Sequence, residues 1–301
     1  MHYCSFDEYA KTVFGTKVYK LSLSTGCTCP TRDGKLGTEG CSFCSAGGSG
    51  EFATPFEDID VQIEKAKLRV DKKIPKSIPK ENRKYIAYFQ SFTNTYAPVE
   101  YLKPIFLKAA KRKDIVAISI ATRPDCIPKE ILDLLIFLNQ IKPVWVELGL
   151  QTIHKASALA FGRGYSLELF EDSYLKLKNA GLYVIVHIIL FLPNESKSDM
   201  LKTIDYLAQL SPRLDGIKIQ LLQILRGTKM ANQYQKEAFY LPTLDEYCEF
   251  LAECLKRLPK EIVIHRITGD GPKKLLIAPA WCANKRFVLN YIKSYLEKQN
   301  L

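Results

Sequence analysis

Four cysteines fall within eighteen residues in the stretch CTCPTRDGKLGTEGCSFC, positions 27–44. Three of them are spaced Cys29-x11-Cys41-x2-Cys44. The tight pair Cys41 and Cys44 can grip one metal ion or one face of a cluster. Cys29 rejoins them only if the intervening segment turns back, and Gly34, Gly37 and Gly40 suit such turns. The N-terminal residues include early acids and no long apolar run, so they do not read as a signal peptide. The expected compartment is therefore the cytoplasm, where nine cysteines argue for metal or redox chemistry before disulfides. Structural zinc takes four protein ligands, and Cys27 offers a fourth thiol. In an extended segment, however, Cys27 and Cys29 share one face and crowd one ion. An iron–sulfur cluster held by three thiolates leaves one iron open for a cofactor or substrate. Spacing alone leaves both readings standing.

The elements that must position this loop are legible as alternating strands and helices. Apolar, β-branched runs start at Lys17, Lys84, Ile115, Val144, Leu182 and Gly216. Amphipathic helices are expected at 57–70, 99–111, 128–139, 167–180 and 196–210 between them. Strands that are apolar on both faces, joined by helices, imply a parallel sheet built of right-handed βαβ units. Six such strands fall short of a closed eight-stranded barrel, so the expected architecture is a partial (β/α)6 TIM-like barrel. A helix at 244–258, a short strand EIVIHRIT, a Gly/Pro-rich loop and a terminal helix form a C-terminal α/β extension. The expected division is residues 1–242 for the barrel, with the cluster loop at 27–44, and 243–301 for an extension packed on the same domain. Functional residues of parallel α/β folds gather at the C-terminal ends of strands, and the cysteine loop directly follows the first strand.

The 301 residues carry a net charge of +11, and 47% are hydrophobic, the profile of a globular chain with a sizeable core. No apolar run reaches the roughly 18 residues of a membrane span, so no membrane association is expected. Lysines concentrate in KAKLRVDKKIPKSIPKENRK, 65–84, and again in LKAAKRKD, 107–114. A solvated helix face accounts for either run, while the global excess of charge also suits a polyanion such as RNA. His154, His187 and His265 are isolated, and Cys4, Cys126, Cys248, Cys254 and Cys282 are scattered, so all are expected in core or surface roles. His265 stands out only because Arg266, Asp270 and Lys273 follow it in a glycine-containing loop able to cradle a phosphate or cover a substrate.

CPTRDGKLGTEGCSFC after a first strand resembles the cluster loop of a bacterial branch of the radical S-adenosylmethionine (SAM) superfamily. That branch is related to the elongator catalytic subunit and to oxygen-independent coproporphyrinogen oxidase. It shares with this sequence a longer first gap than the usual Cys-x3-Cys-x2-Cys. AYFQSFTNTYAPVE, SIATRPD, WVELGLQTIH, GRGY, LRGT and HRITGDGPKKLLIAP extend the similarity over nearly the whole chain. The resemblance implies that Cys29, Cys41 and Cys44 ligate a [4Fe-4S] cluster, with Cys27 a bystander. It implies SAM on the open iron, cleaved reductively to a 5′-deoxyadenosyl radical, and a low-potential electron donor of flavodoxin or ferredoxin type. Gln90, Ser91 and Thr93 fall where the superfamily contacts the methionine amine, and Thr122 and Arg123 where a strand end lies beside SAM.

Gln151 and Arg163 are twelve residues apart, similar to the coproporphyrinogen oxidase pair at the ribose and carboxylate of SAM. An arginine fork matches a carboxylate. Glu147, at i−4 from Gln151 on one strand face, is placed to meet ribose hydroxyls or a basic partner. His265, Arg266, Asp270 and Lys273 are the candidate substrate residues. Phe191 and Asn194 replace glycines of relatives, and Phe191 is expected to stack on adenine or narrow its pocket. Gln220 and Gln223 stand where histidines are expected. Elongator kinship and charge together imply modification of the C5 side chain of a tRNA wobble uridine. Coproporphyrinogen oxidase kinship implies a small metabolite instead, and a zinc-stabilised RNA-binding protein is the non-catalytic alternative. The reacting residues, the electron source and the oligomeric state have no signature in the sequence.

Overall fold

The computed structural model describes residues 3–301. Its first half alternates strand and helix: β1 (Cys4–Ser5), α1 (Phe6–Phe14), β2 (Val18–Leu23), α2 (Ile59–Val70), β3 (Lys84–Phe89), α3 (Val99–Ala110), β4 (Ile115–Thr122) and α4 (Lys129–Asn139). The order continues with β5 (Val144–Gln151), α5 (Lys155–Ala160), α6 (Leu167–Asn179), β6 (Tyr183–Leu190), α7 (Lys197–Ala208) and β7 (Gly216–Leu221). It closes with β8 (Ile224–Leu225), α8 (Lys229–Lys236), α9 (Leu244–Arg257), β9 (Val263–Arg266), β10 (Leu276–Ala278) and α10 (Lys285–Lys298).

Eight strands form one sheet in the order β1-β9-β7-β6-β5-β4-β3-β2. Every pairing in it is parallel. The fold is a partial α/β barrel with β2 and β1 at its edges. The six strands expected from sequence form β2 to β7, and the strand in EIVIHRIT joins them as β9 beside β7. The eighth is β1, whose Cys4 and Ser5 pair with Val263 and Ile264. The run from Gly216 does not remain one strand. After Leu221 it leaves the sheet, with the Leu222 amide bonded to the Leu190 carbonyl at 3.0 Å. Ile224 and Leu225 then pair antiparallel with β10.

Two apolar layers fix this frame. Outside the sheet, α2, α3, α4, α6, α7 and α9 bury Ile63, Phe106, Leu135, Tyr174, Ile204 and Phe250 against outward residues such as Phe89, Ile120, Val146 and Ile219. Inside, the N-terminal end of the barrel is closed by Val18, Ile86, Ala117, Trp145 and Ile185, with Phe6, Tyr9, Ala10 and Phe14 of α1 packed on them. Helix α1 is set by a capping box, Ser5 with Glu8, and ends at Gly15 in the left-handed region. It therefore works as a plug, and space remains only at the other end. No helix among the described residues is long and apolar enough to cross a membrane.

Phe106 is fully buried and meets Phe89 edge-on at a centroid distance of 4.9 Å. Phe106→Ala is expected to destabilise the fold by about 3–5 kcal/mol, read as a lower urea midpoint with an unchanged slope.

Candidate active site at the open end of the barrel

The loop after β2 is shaped by its own backbone. The Arg32 amide bonds the Cys29 carbonyl at 2.8 Å, Gly40 bonds Thr31 at 2.8 Å, and Cys44 bonds Cys41 at 2.9 Å. Arg32 then reaches across the loop, its Nη2 donating to the carbonyls of Cys44 (3.0 Å) and Ser45 (2.7 Å). One guanidinium thus ties the arm carrying Cys29 to the arm carrying Cys44. Gly40 permits this twice over: its φ is +76°, and a Cβ there would lie 2.7 Å from the Arg32 side chain. The loop is also docked to the barrel, with Ser42 N on the Phe161 carbonyl and Met230 N on the Ser42 carbonyl, both at 2.9 Å.

Cys29, Cys41 and Cys44 all face one cavity of about 240 Å³ at the C-terminal ends of the strands. Cys27 does not. It is buried in the core between sheet and helices. Among the described residues no three His, Cys, Asp or Glu side chains converge closely enough for a single metal ion. Three thiols around one opening without a fourth are the donor set of a larger body that keeps one coordination position free. Burial, with Cys44 beside it, pushes the Cys41 thiol up to about 12, and burial also raises Cys44 against the pull of Ser49 and Arg32. Positive charge from Arg32 and Arg123 favours the thiolates that such a group requires. The Oγ atoms of Ser42 and Ser45 and Oε1 of Glu51 are buried without a hydrogen-bond partner near the same opening. These residues fit an iron–sulfur cluster better than a zinc ion.

Of the residues expected around SAM, Gln90, Thr93, Thr122, Arg123, Glu147, Gln151 and Arg163 line the cavity. Ser91 does not line it: it turns toward Gly50, where an added Cβ would meet the Ser91 Cβ at 2.4 Å. Arg163 donates to the carbonyls of Leu150 (2.9 Å), Thr152 (2.7 Å) and Tyr165 (3.1 Å), so most of its fork secures backbone. Arg123 is held by Asp125 at 2.9 and 2.7 Å. The guanidinium of each lies over the Tyr165 ring, at 4.9 and 4.8 Å. Gln151 ends β5 with a φ of +63°, a conformation few non-glycine residues adopt.

Glu147 has the basic partner rather than a free carboxylate. It is 1% exposed and accepts from Ser119 (2.6 Å), His187 (2.7 Å) and Lys20 (3.3 Å), and it also meets Lys218. Lys218 in turn donates to the Tyr88 hydroxyl at 2.9 Å. Burial opposes ionisation of Glu147, yet Lys20, Lys218 and His187 outweigh it and hold the carboxyl well below its usual range. This layer lies directly above the plug and forms the floor of the cavity. Sequence reading did not find Lys20, Tyr88, Ser119 or Lys218 as site residues and treated His187 as an isolated side chain. The signal was the parity of their strands: each sits on the inward face of an otherwise apolar run.

Of the four candidate substrate residues, Arg266 and Asp270 line the cavity, with Gly269, Gly271, Gln220 and Gln223. His265 lies among Phe6, Trp145 and Tyr183 in the plug, where burial, with Lys20 near it, lowers its pKa well below the ordinary value. Lys273 is exposed on the loop. Phe191 was expected at the adenine, but its ring packs against Tyr240, Tyr247 and Phe250 and does not line the cavity. Its left-handed φ of +62° turns the side chain to the helix side. The lysine run 65–84 covers the last turns of α2 and the connection into the start of β3. It therefore sits at the end of the barrel away from the cysteines. Several of its charges are already paired: Lys65 with Glu57, Lys67 with Asp114, and Arg83 with Asp71. Lys108 and Arg112 of the second basic run likewise pair with Asp58 and Asp60.

Residues 34–207 match the Radical SAM superfamily, and residues 214–298 match the Radical_SAM C-terminal domain. The chain belongs to the radical SAM superfamily and is an enzyme of that class. It is 42% identical to YtqA of Bacillus subtilis over 99% of this chain and 90% of that protein. It is 32% identical to YhcC of Escherichia coli K12, over 96% and 90%. Among solved structures it superposes on Methanocaldococcus infernus Elp3 lacking its N-terminus, with a TM-score of 0.69 at 19% identity. That match covers 94% of this chain but only 63% of the Elp3 chain, and shows a shared fold.

Three outcomes follow for the buried layer. Glu147→Ala strands two lysines without a counter-charge and is expected to cost about 3–5 kcal/mol, seen by denaturant unfolding. Glu147→Gln combined with Lys218→Met is expected to cost less than Glu147→Ala alone. Burial and Lys218 lower His187 to about 4, with Glu147 opposing. The unfolded chain binds a proton near pH 6.5 that the folded chain refuses, so stability is lost as pH falls from there toward 4. The loss amounts to about 3 kcal/mol. His187→Gln is expected to flatten that part of a stability–pH curve relative to the parent.

Proposed function

We infer that Cys29, Cys41 and Cys44 hold a [4Fe-4S] cluster at the mouth of the cavity and that SAM binds beside it, over Gln90, Thr93, Thr122, Gln151 and Tyr165. The observation that carries this reading is the meeting of these three thiols and that polar wall on one opening, with Cys27 turned away. Bound together, cluster and SAM supply one-electron cleavage of a sulfonium carbon–sulfur bond and removal of hydrogen from an unactivated carbon. The chain's own residues orient and shield. Arg32 fixes the spacing of the cysteine arms. Arg123 and Arg163, clamped by Asp125 and by carbonyls, hold Tyr165 and the end of β5 in place. The plug of Phe6, Phe14 and Trp145 closes the barrel from below, so solvent reaches the reacting centre from one side only. A low-potential flavodoxin- or ferredoxin-type donor would then deliver its electron at the exposed face of the cysteine loop. The barrel and its C-terminal extension act as one catalytic unit, since Arg266 of β9 and the following loop through Gly271 complete the wall around the same cavity. Nine free thiols fit a reducing, cytoplasmic setting.

A small metabolite is the substrate class the geometry supports best. Residues of β5, β6, β7 and β9 wall the cavity, and the strongest basic run lies at the other end of the barrel. The tRNA reading, with its wobble-uridine chemistry, is favoured by the elongator resemblance and by the charge of +11. It would use the rim of the cysteine loop and the 267–279 loop rather than residues 65–84.

Anaerobic reconstitution followed by dithionite and SAM is expected to release 5′-deoxyadenosine from the parent and none from Cys41→Ala. Zinc in place of iron and sulfide in the parent would overturn the reading. Bulk tRNA added to the same assay is expected to leave the rate unchanged. A salt-sensitive stimulation by tRNA would instead establish the second reading.

A further inference from the structure

The wall of the cavity formed by β7 and β9 carries a guanidinium with little to hold it. Arg266 lines the cavity and has five donors. Its Nη1 reaches Gln220 Oε1 at 3.4 Å, the outer edge of hydrogen-bonding distance. Its Nη2 lies 3.7 Å from Asp270 Oδ2. That carboxylate is engaged more closely elsewhere, with Oδ1 on Lys285 at 2.6 Å. Arg123, in the same cavity, has by contrast a bidentate carboxylate of its own.

The charge around Arg266 is also unbalanced. Lys20 and Lys218 lie beneath it in the floor, and both lean on the single carboxylate of Glu147. Glu147 has no exposed side-chain surface and is fully committed to Ser119, His187 and the two lysines. Three basic groups therefore face one sealed carboxylate and one shared with Lys285, and burial together with their mutual repulsion lowers the pKa of both lysines. In a partly desolvated cavity such an excess attracts an anion strongly. Gln220 completes the geometry. Its Oε1 is turned to Arg266, so its amide nitrogen, a donor, is left for the cavity.

We propose that Arg266 and Gln220 form the recognition site for the anionic group, carboxylate or phosphate, of a small acidic substrate bound between the β7–β9 wall and the cysteine loop. This rests on the reading of the cavity as a radical SAM site and names the class of molecule that shares it. Arg266 supplies the paired, charge-assisted donors and Gln220 a third, while Lys20 and Lys218 contribute field from below without touching the ligand. The anchor sits on the sheet wall, away from Cys29, Cys41 and Cys44, so it holds one end of the substrate and leaves the other toward the reacting centre. Gln220 then acts on specificity: a side chain that is always neutral and keeps its donor at every pH replaces the histidine expected there.

The test is calorimetric and needs no turnover. The full chain, with reconstituted cluster and SAM and separately without them, is titrated at low salt with inorganic phosphate, with succinate and with neutral succinamide. At least one of the two anions is expected to saturate the protein in the millimolar range or tighter, and succinamide is not. Preference for phosphate or for succinate distinguishes the two kinds of acid. Arg266→Gln is expected to weaken the anion about tenfold or more, and Arg266→Lys to recover part of that loss. SAM affinity should stay within about twofold of the parent in both. The proposal is overturned if neither anion saturates the parent, if succinamide binds as well, or if Arg266→Gln leaves anion binding intact. A loss of SAM affinity in Arg266→Gln would also overturn it, by assigning the arginine to the cofactor. Anion binding by the chain without cluster separates this result from the cluster assignment, which Cys41→Ala tests independently.

Discussion

A carboxylate sealed inside a parallel sheet is the constraint on which much of this molecule depends. Glu147 sits on the inward face of β5, where the neighbouring strands would ordinarily offer apolar side chains. Its charge is sustained by Ser119 on β4, Lys20 on β2, His187 on β6 and Lys218 on β7. Each of these strands must be in register for the set to close. A slip of one residue would turn every partner to the helix side. The ionic layer thus reports, and helps enforce, the alignment of the strands that bring cysteines and arginines to one end. It also divides the interior into a dry plug below and a polar chamber above. Buried ion pairs are weak grounds for stability in themselves, and registry is the role best supported for them.

Order at the rim is built from arginines used as structural braces. Arg32, Arg123 and Arg163 each make two or three hydrogen bonds to carbonyls or to Asp125, and Tyr165 lies under two of the three. Their planar forks suit this because several hydrogen bonds are made from one rigid group. Residue type alone would assign all three to a ligand carboxylate. Only Arg266 stands apart, and the difference is visible in its partners rather than in its sequence.

Much of the frame was legible before any coordinates. The starts of β3, β4, β5 and β7 fall where the apolar runs begin, and α3, α4, α6, α7 and α9 lie within a few residues of their expected limits. Periodicity over eight to fourteen residues is enough to set them. Strand β1 has two residues and so no period to read, and the Ser5–Glu8 capping box that starts α1 was not read from the sequence. In the site, the three cysteines and the Gln151–Arg163 pair named from the sequence line one cavity, and both sets lie within one or two elements. The partners of Glu147 are 127, 71 and 40 residues away, at Lys20, Lys218 and His187, so strand parity can mark each as inward but cannot pair it with Glu147. The basic run 65–84 left its place in the fold open for a simpler reason. Its density of charge was plain, but which end of the barrel it occupies follows from chain direction through α2.

The pairing of β1 with β9 gives the chain an unusual order of assembly. Residues 4–5 are synthesised long before Val263 and Ile264, yet the strand pairing they make must wait for those residues to emerge. The cysteine loop is in the same position, since Ser42 is docked by Phe161 and Met230. A nascent chain therefore carries its thiols exposed and its barrel unplugged through most of synthesis, and contacts of such long range form slowly. Loading of the proposed cluster belongs naturally to that late stage, when the loop first acquires a shape. Strands β1 and β9 act as a latch that shuts only late in synthesis.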